Sequence, residues 1–174
     1  MGASELERRV AALEQRLRAL EDLEAIRRLK VRYAKLVDAR YARRRPRPRE
    51  EIEPIAREIA ALFAEDAVWD GGAGLGLATG RDAIRERLLE PTLQFSWHYF
   101  LKHDLELDGD RARGTWDILS PCTTREGRAM WLAGVEHDEY VRRDGVWLHA
   151  SMRLEVVFMA PHDRGWAQGP APAS

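Results

Sequence analysis

Three turn signals cut the second half of the chain into four alternating segments, and that pattern constrains the fold more than any other feature. Asp108-Gly109-Asp110, Arg125-Glu126-Gly127 and Asp144-Gly145 separate residues 95–107, 111–123, 128–143 and 146–159. Within each segment polar and apolar residues alternate with period two, which reads as a β-strand with one face buried. Asp-Gly between two such segments is the strongest short hairpin signal, because a two-residue turn needs left-handed backbone at both positions. Consecutive hairpins make an antiparallel meander.

The first half carries the helical period instead. Residues 4–40 read as helix, with Ser4 and Glu7 in the S-x-x-E capping pattern. Leu6, Val10, Leu13, Leu17 and Leu20 step by four and three residues, a coiled-coil seam of two heptads. From Asp22 the stripe widens to Ile26, Leu29, Tyr33, Leu36 and Val37, the face of a helix packed on a sheet. Pro46, Pro48 and Pro54 then break the helix, and the five arginines of 43–49 predict a solvated loop. Helices over 55–63 and 82–89 and a brief strand at 67–69 follow. The glycines of 71–80 lack both the dinucleotide and the Walker spacing, so nucleotide binding is not expected. Helices first and hairpins after give an α+β class, with helices on one face of a curved antiparallel sheet. The tail should be loose beyond Trp166.

At 174 residues the chain is the size of one domain. Twenty-eight basic residues against 29 acidic ones leave a net charge of −1, so no global field draws it to nucleic acid or anionic membrane. The basic residues are nearly all arginine, which reads as GC-rich codon usage. Cys122 is the single cysteine, which excludes an internal disulfide and a multi-cysteine zinc site. His103, His137 and His149 have no ligand-like spacing, and no metal or cofactor is expected. With no apolar run long enough for a span and a charged N-terminus unlike a signal peptide, the expectation is a cytoplasmic protein.

The segments 20–38 (LEDLEAIRRLKVRYAKLVD), 62–71 (LFAEDAVWDG), 79–84 (TGRDAI), 96–110 (SWHYFLKHDLELDGD) and 133–147 (AGVEHDEYVRRDGVW) occur in an order that resembles the SnoaL-like branch of the NTF2-like superfamily. Residues 5–38 resemble the start of bile-acid dehydratases and 138–147 a stretch of hexachlorocyclohexane dehydrochlorinases; scytalone dehydratases are more distant. The resemblance implies a cone-shaped α+β barrel, with the sheet and the N-terminal helices enclosing one pocket. The domain would span 22–160, with 1–21 as a helical extension and 161–174 as a tail.

The same resemblance gives His98 the role of a base and Asp38 that of the acid pairing with it. Imidazole suits removal of a carbon-bound proton near neutrality, and a carboxylate on its other nitrogen fixes the tautomer. Asp38 at a helix C-terminus opposes the macrodipole, so an idle carboxylate in water fits that position poorly. Tyr33 matches a dehydratase tyrosine and would donate to an oxygen. It stands about 140° from Asp38 on a helical wheel, so the two share a pocket only if the pocket wraps the helix end.

Arg153 matches an arginine that assists a departing anion. With Asp144-Gly145 as a two-residue turn, Glu136 falls opposite Arg153. One face then carries Glu136, Asp138, Tyr140, His149, Ser151 and Arg153, and the other Leu148, Ala150, Met152, Leu154 and Val156. Ordinary burial turns the apolar face inward and leaves Arg153 paired with Glu136 in water; the resemblance turns the arginine face inward. Ser120, opposite His98 across a turn at 108–110, would contact substrate together with Trp116 and Glu136. Because Ser120 stands near where the bile-acid enzymes carry an acid, their substrate does not transfer.

The implied activity is a cofactor-free lyase, a dehydratase or dehydrohalogenase, acting on a small, largely apolar cyclic substrate. The alternatives are an isomerase or polyketide-cyclase-type enzyme using the same base, or a non-catalytic ligand-binding or accessory subunit. A bonded His98–Asp38 pair favours an enzyme; a pocket filled by its own Trp and Phe side chains favours the subunit. A homo-oligomer, dimer or trimer, is expected from the exposed seam and the apolar sheet face.

Overall fold

A computed structural model describes residues 3–163; the stretch after Trp166 lies outside the described residues. Helix α1 (Ala3–Ala39) is continuous. It already contains Ser4, so Ser4 does not cap it. A miniature hairpin, β1 (Tyr41–Ala42) and β2 (Arg45–Pro46), follows, and then α2 (Arg49–Ala60) and β3 (Phe63–Asp70). A single turn of helix, α3 (Gly72–Leu75), leads to β4 (Leu77–Thr79) and α4 (Arg81–Leu89). The second half is β5 (Phe95–Ser96), β6 (Tyr99–Asp108), β7 (Arg111–Thr123), β8 (Ala129–Arg143) and β9 (Val146–Pro161).

The expected loop at 40–54 is therefore structured. Arg43 and Arg44 turn the hairpin at φ of 50° and 61°, and α2 begins six residues earlier than its apolar pattern announces. Pro54 lies inside α2 on the exposed side. There the amide it lacks removes one solvent-facing hydrogen bond, while Ile52, Ala56 and Ile59 bury the opposite stripe.

Seven strands form one curved sheet in the order β4-β3-β9-β8-β7, with β5 and β6 both pairing with β7. The meander is antiparallel as expected, but β3 runs parallel to β9, so the sheet as a whole is mixed. The β8–β9 turn follows its sequence signal: Asp144 and Gly145 adopt φ of 50° and 76°, and Arg143 faces Val146. Beyond that turn the register slips twice, between Glu139 and Tyr140 and between Ala133 and Gly134. The first slip leaves Ala150 unpaired, a bulge that reverses which residues of β9 face inward.

Helices α1, α2 and α4 lie over the concave face. Ile26, Leu29, Tyr33 and Val37 of α1 pack with Ile52, Ala56 and Ile59 of α2, Ile84 and Leu88 of α4, and Phe63, Trp69 and Met152 of the sheet. Among the described residues no helix is long and apolar enough to cross a membrane.

Candidate active site

Between the end of α1, the C-terminal end of α4 and the concave sheet lies a cavity of about 760 Å3, counting its open mouth. Its walls are mostly apolar, with Val37, Leu75, Leu93, Ile118, Leu132 and Leu154 among them, and His98, Tyr33, Ser120 and Glu136 are among its polar lining residues.

His98 does not sit on a strand. It falls in the two-residue break between β5 and β6, where its backbone N–H leaves the sheet ladder and donates to the Asp38 carboxylate at 3.2 and 3.3 Å. The ring turns the same way, with Nδ1 2.7 Å from Asp38 Oδ1. Asp38, in the last turn of α1, thus meets donors from both backbone and imidazole, which offset the unfavourable helix terminus. Asp38 itself is not part of the cavity wall; it backs His98 from behind, leaving Nε2 as the nitrogen not engaged by it. The ring lies parallel to Phe100, 6.3 Å between centroids.

Tyr33 shares this cavity, because the cavity wraps the end of α1. Its hydroxyl accepts a hydrogen bond from Trp69 Nε1 at 3.1 Å, leaving its own proton to donate. Burial, with the Glu136 charge, raises the Tyr33 phenol above its ordinary range and holds it protonated. Ser96 faces Cys122 and Tyr99 faces Leu119, which sets Ser120 across from His98 as expected. The route differs: the β6–β7 turn is one residue tighter, and a bulge at Lys102–His103 restores the register. Cys122 also lines the cavity, and burial pushes its thiol up to about 11.

Besides Asp38, two further expected site residues lie outside the cavity wall. Arg153 pairs with His137, not Glu136, and lies half-exposed on the outer face beside Glu155. The Ala150 bulge is the cause: after it Met152 and Leu154 point inward and Arg153 outward. On β8 the polar face does turn inward, as Glu136, Asp138 and Tyr140 are all buried. The polar face thus turns inward on β8 and on β9 up to His149, and the apolar face only on β9 past the bulge. Trp116 is buried yet stands apart from the cavity; its indole stacks on His103 and donates to Tyr140 Oη at 2.9 Å.

Sequence reasoning missed Lys30. It is fully buried, with Nζ 2.5 Å from Glu136 Oε2 and 2.6 Å from Asp138 Oδ2. Tyr140 Oη donates to the same Asp138 oxygen at 2.6 Å. Burial alone would lower the Lys30 ammonium, but Asp138 and Glu136 outweigh it and the net direction is upward. Glu136 is pushed up by burial and by Asp138 against the pull of Lys30. A signal was available: Lys30 lies four residues after Ile26 and three before Tyr33, on the buried stripe. Arg40 and Arg87, both in the cavity wall, were missed as well.

A sequence profile described as a SnoaL-like domain matches residues 55–153, more than half of the chain. The γ-hexachlorocyclohexane dehydrochlorinase of Sphingobium indicum is 29% identical over 108 residues, 59% of this chain and 69% of that one. The crystal structure of the type 3 dehydrochlorinase LinA from Novosphingobium barchaimii superposes with a TM-score of 0.68 at 25% identity, over 83% of this chain and 92% of that one. An NTF2-like protein of cystatin-like fold from Novosphingobium aromaticivorans shows the same fold, with a TM-score of 0.61 at 22% identity over 89% and 91% of the two chains. The fold, the profile and these likenesses agree, and the chain belongs to the SnoaL-like family of the NTF2-like superfamily.

Proposed function

We propose that the protein is a lyase that eliminates water or hydrogen halide from a small cyclic substrate, with His98 as the base. The likeness to dehydrochlorinases supports a lyase-type activity. The single observation carrying the finer reading is the 2.7 Å contact between His98 Nδ1 and Asp38 in a side chain that lines the cavity. Asp38 accepts a hydrogen bond from Nδ1–H, so Nε2 presents its lone pair to the substrate. Nε2 takes a carbon-bound proton, the C–H electron pair becomes the new double bond, and the leaving group departs with its own pair. A departing hydroxyl leaves as water with the proton His98 has taken; a halide leaves as the anion. Tyr33 donates a hydrogen bond to the oxygen or leaving atom on which charge develops, and Ser120 and Glu136 contact the substrate.

Among the described residues Trp69 is the only tryptophan of the cavity wall and no phenylalanine lines it, which favours an enzyme over an accessory subunit. Isomerisation and cyclisation begin with the same proton abstraction. The exposed part of α1 supports a homo-oligomer as the working form. Mass spectrometry of a panel of cyclic alcohols and halides, hexachlorocyclohexane included, tests the mechanism. Loss of water or hydrogen halide is expected with the wild type and absent with His98→Ala. Asp38→Asn should lower turnover by about two orders of magnitude or more, because an amide permits the wrong tautomer. Full activity in a folded His98→Ala protein would remove His98 as the base.

A further inference from the structure

Three buried or half-buried cations surround the cavity, and the fold treats them differently. Lys30 is met by two carboxylates. Arg40 is 8% exposed and meets none. Its Nε donates to Val37 O and its Nη1 to Leu88 O, both at 3.1 Å. A guanidinium has five N–H donors, and the two on Nη2 have no protein partner among the described residues. Arg87 is also held by neutral oxygens, though only one of its five N–H donors, on Nη1, is left over: Nε and Nη2 converge on Leu75 O at 2.8 and 2.6 Å, and Nη1 reaches Glu90 O at 3.2 Å. Nη2 also reaches the Thr92 hydroxyl, and the guanidinium lies 5.7 Å from the Trp69 ring centroid. No carboxylate pairs with it either.

Both arginines line the same cavity as His98. The acids in that wall are otherwise engaged, since Asp70 accepts the Gly72 N–H at 2.8 Å and Glu136 accepts from Lys30. Burial, and then the neighbouring charge of Arg87, depress the Arg40 guanidinium below its ordinary range, with Tyr41, Tyr33 and Asp38 opposing. Backbone carbonyls hold the two side chains in place without cancelling their charge. A buried charge left without a counter-ion is costly, and a planar fork with free donors matches a carboxylate.

We propose that Arg40 and Arg87 form the binding site for a carboxylate on the substrate, so that the molecule taken by this cavity is an organic anion with an apolar body. The carboxylate docks between the two guanidinium groups at the α1–α4 side, while the apolar body lies against Ile118, Leu132 and Leu154. The inference rests on the cavity being the substrate site, and is independent of His98 being the base.

Calorimetric titration of the full chain with benzoate and with its neutral isostere benzamide tests it. Benzoate should bind at least about tenfold more tightly than benzamide, as a charge-assisted paired contact requires. His98→Ala should keep that preference, and Arg87→Gln should reduce it at least about fivefold, with benzamide binding unchanged. Arg40→Gln should abolish it; because Arg40 also ties α1 to Leu88, Arg87→Gln decides the matter if that variant does not fold. Chloride at about 0.1 M should leave the preference in place, which separates a carboxylate site from a simple halide site. Equal binding of the two probes, no benzoate binding at millimolar concentration, an undiminished preference in Arg87→Gln, or loss of the preference to chloride overturns the proposal. An inactive His98→Ala protein that keeps the preference upholds both readings. A preference retained in a fully active His98→Ala protein upholds the carboxylate site and sinks only the base.

Discussion

His149 is fully buried, with neither ring nitrogen hydrogen-bonded, among Phe63, Tyr140 and Tyr33 at centroid distances of 5.0, 4.9 and 5.7 Å. Burial lowers its pKa from 6.5 to about 3, with Lys30 acting in the same direction and Asp138, 3.9 Å away, against. The unfolded chain therefore takes up a proton near pH 6.5 that the folded one refuses. This contribution to stability is complete above that value and is lost as pH falls toward about 3. At about 1.4 kcal/mol per pH unit, His149→Phe should lose less stability than wild type between about pH 7 and about pH 5. Urea unfolding at the two pH values checks this, and parallel losses in both proteins would contradict it. Lys30 gives the opposite case, a buried charge the fold depends on. Lys30→Met leaves Glu136 and Asp138 without their cation and should cost roughly 3–5 kcal/mol. Adding Glu136→Gln and Asp138→Asn to it should restore a large part of the urea midpoint. A single variant as stable as wild type would show that the cluster contributes nothing.

The β8–β9 hairpin shows how far a strand can be read from its residues. Its turn, its length and its partner strand were legible, because Asp144-Gly145 and period-two alternation are local signals. The bulge at Ala150 was not, since nothing in the composition of 146–159 marks one extra residue, and a one-residue slip exchanges faces. That slip alone moves Arg153 from cavity to surface. His98 and Asp38 were legible through family resemblance, whereas the break in the strand that joins them follows from tertiary contact with the end of α1. Arg40 adjoins an arginine-rich stretch that reads as solvated, and its bonds to Val37 O and to Leu88 O of α4 separate it from its exposed neighbours. The second register slip makes its own demand on sequence. A Cβ on Gly134 would stand 2.5 Å from the Glu155 carbonyl oxygen and 3.1 Å from Leu154. Since the obstacle is backbone, Gly134→Ala should cost about 1–3 kcal/mol and shift Leu154 in the cavity wall. Thermal unfolding measures the first effect, and an unchanged melting temperature would mean that β9 moves freely there.

At the scale of the molecule, α1 is longer than the body it serves. Its 37 residues extend about 55 Å at 1.5 Å per residue, yet its side-chain bonds to the sheet begin only at Asp22, which accepts from Arg142 and Trp147. Leu6, Leu13, Leu17 and Leu20 are 55–62% exposed and Val10 is 45% exposed. The other feature expected to drive assembly has partly gone, because Met152 and Leu154 face inward and leave only Val156, Val157 and Met159 as exposed apolar residues at the end of β9. Any self-association would therefore rest on the heptad seam. Two heptads alone in water are marginal, since isolated helices below about 12–15 residues barely hold, and a second copy laid along the same stripe would supply the missing face. Sedimentation of the full chain should give a dimer or trimer, deletion of residues 1–20 should shift it toward monomer, and Leu13→Glu with Leu17→Glu should do the same without shortening the chain. Val157→Glu should act more weakly. A full chain that stays monomeric at high micromolar concentration, with far-ultraviolet circular dichroism showing the N-terminal helix intact, would mean that the segment is stable as a lone helix and that assembly is no part of how this protein works.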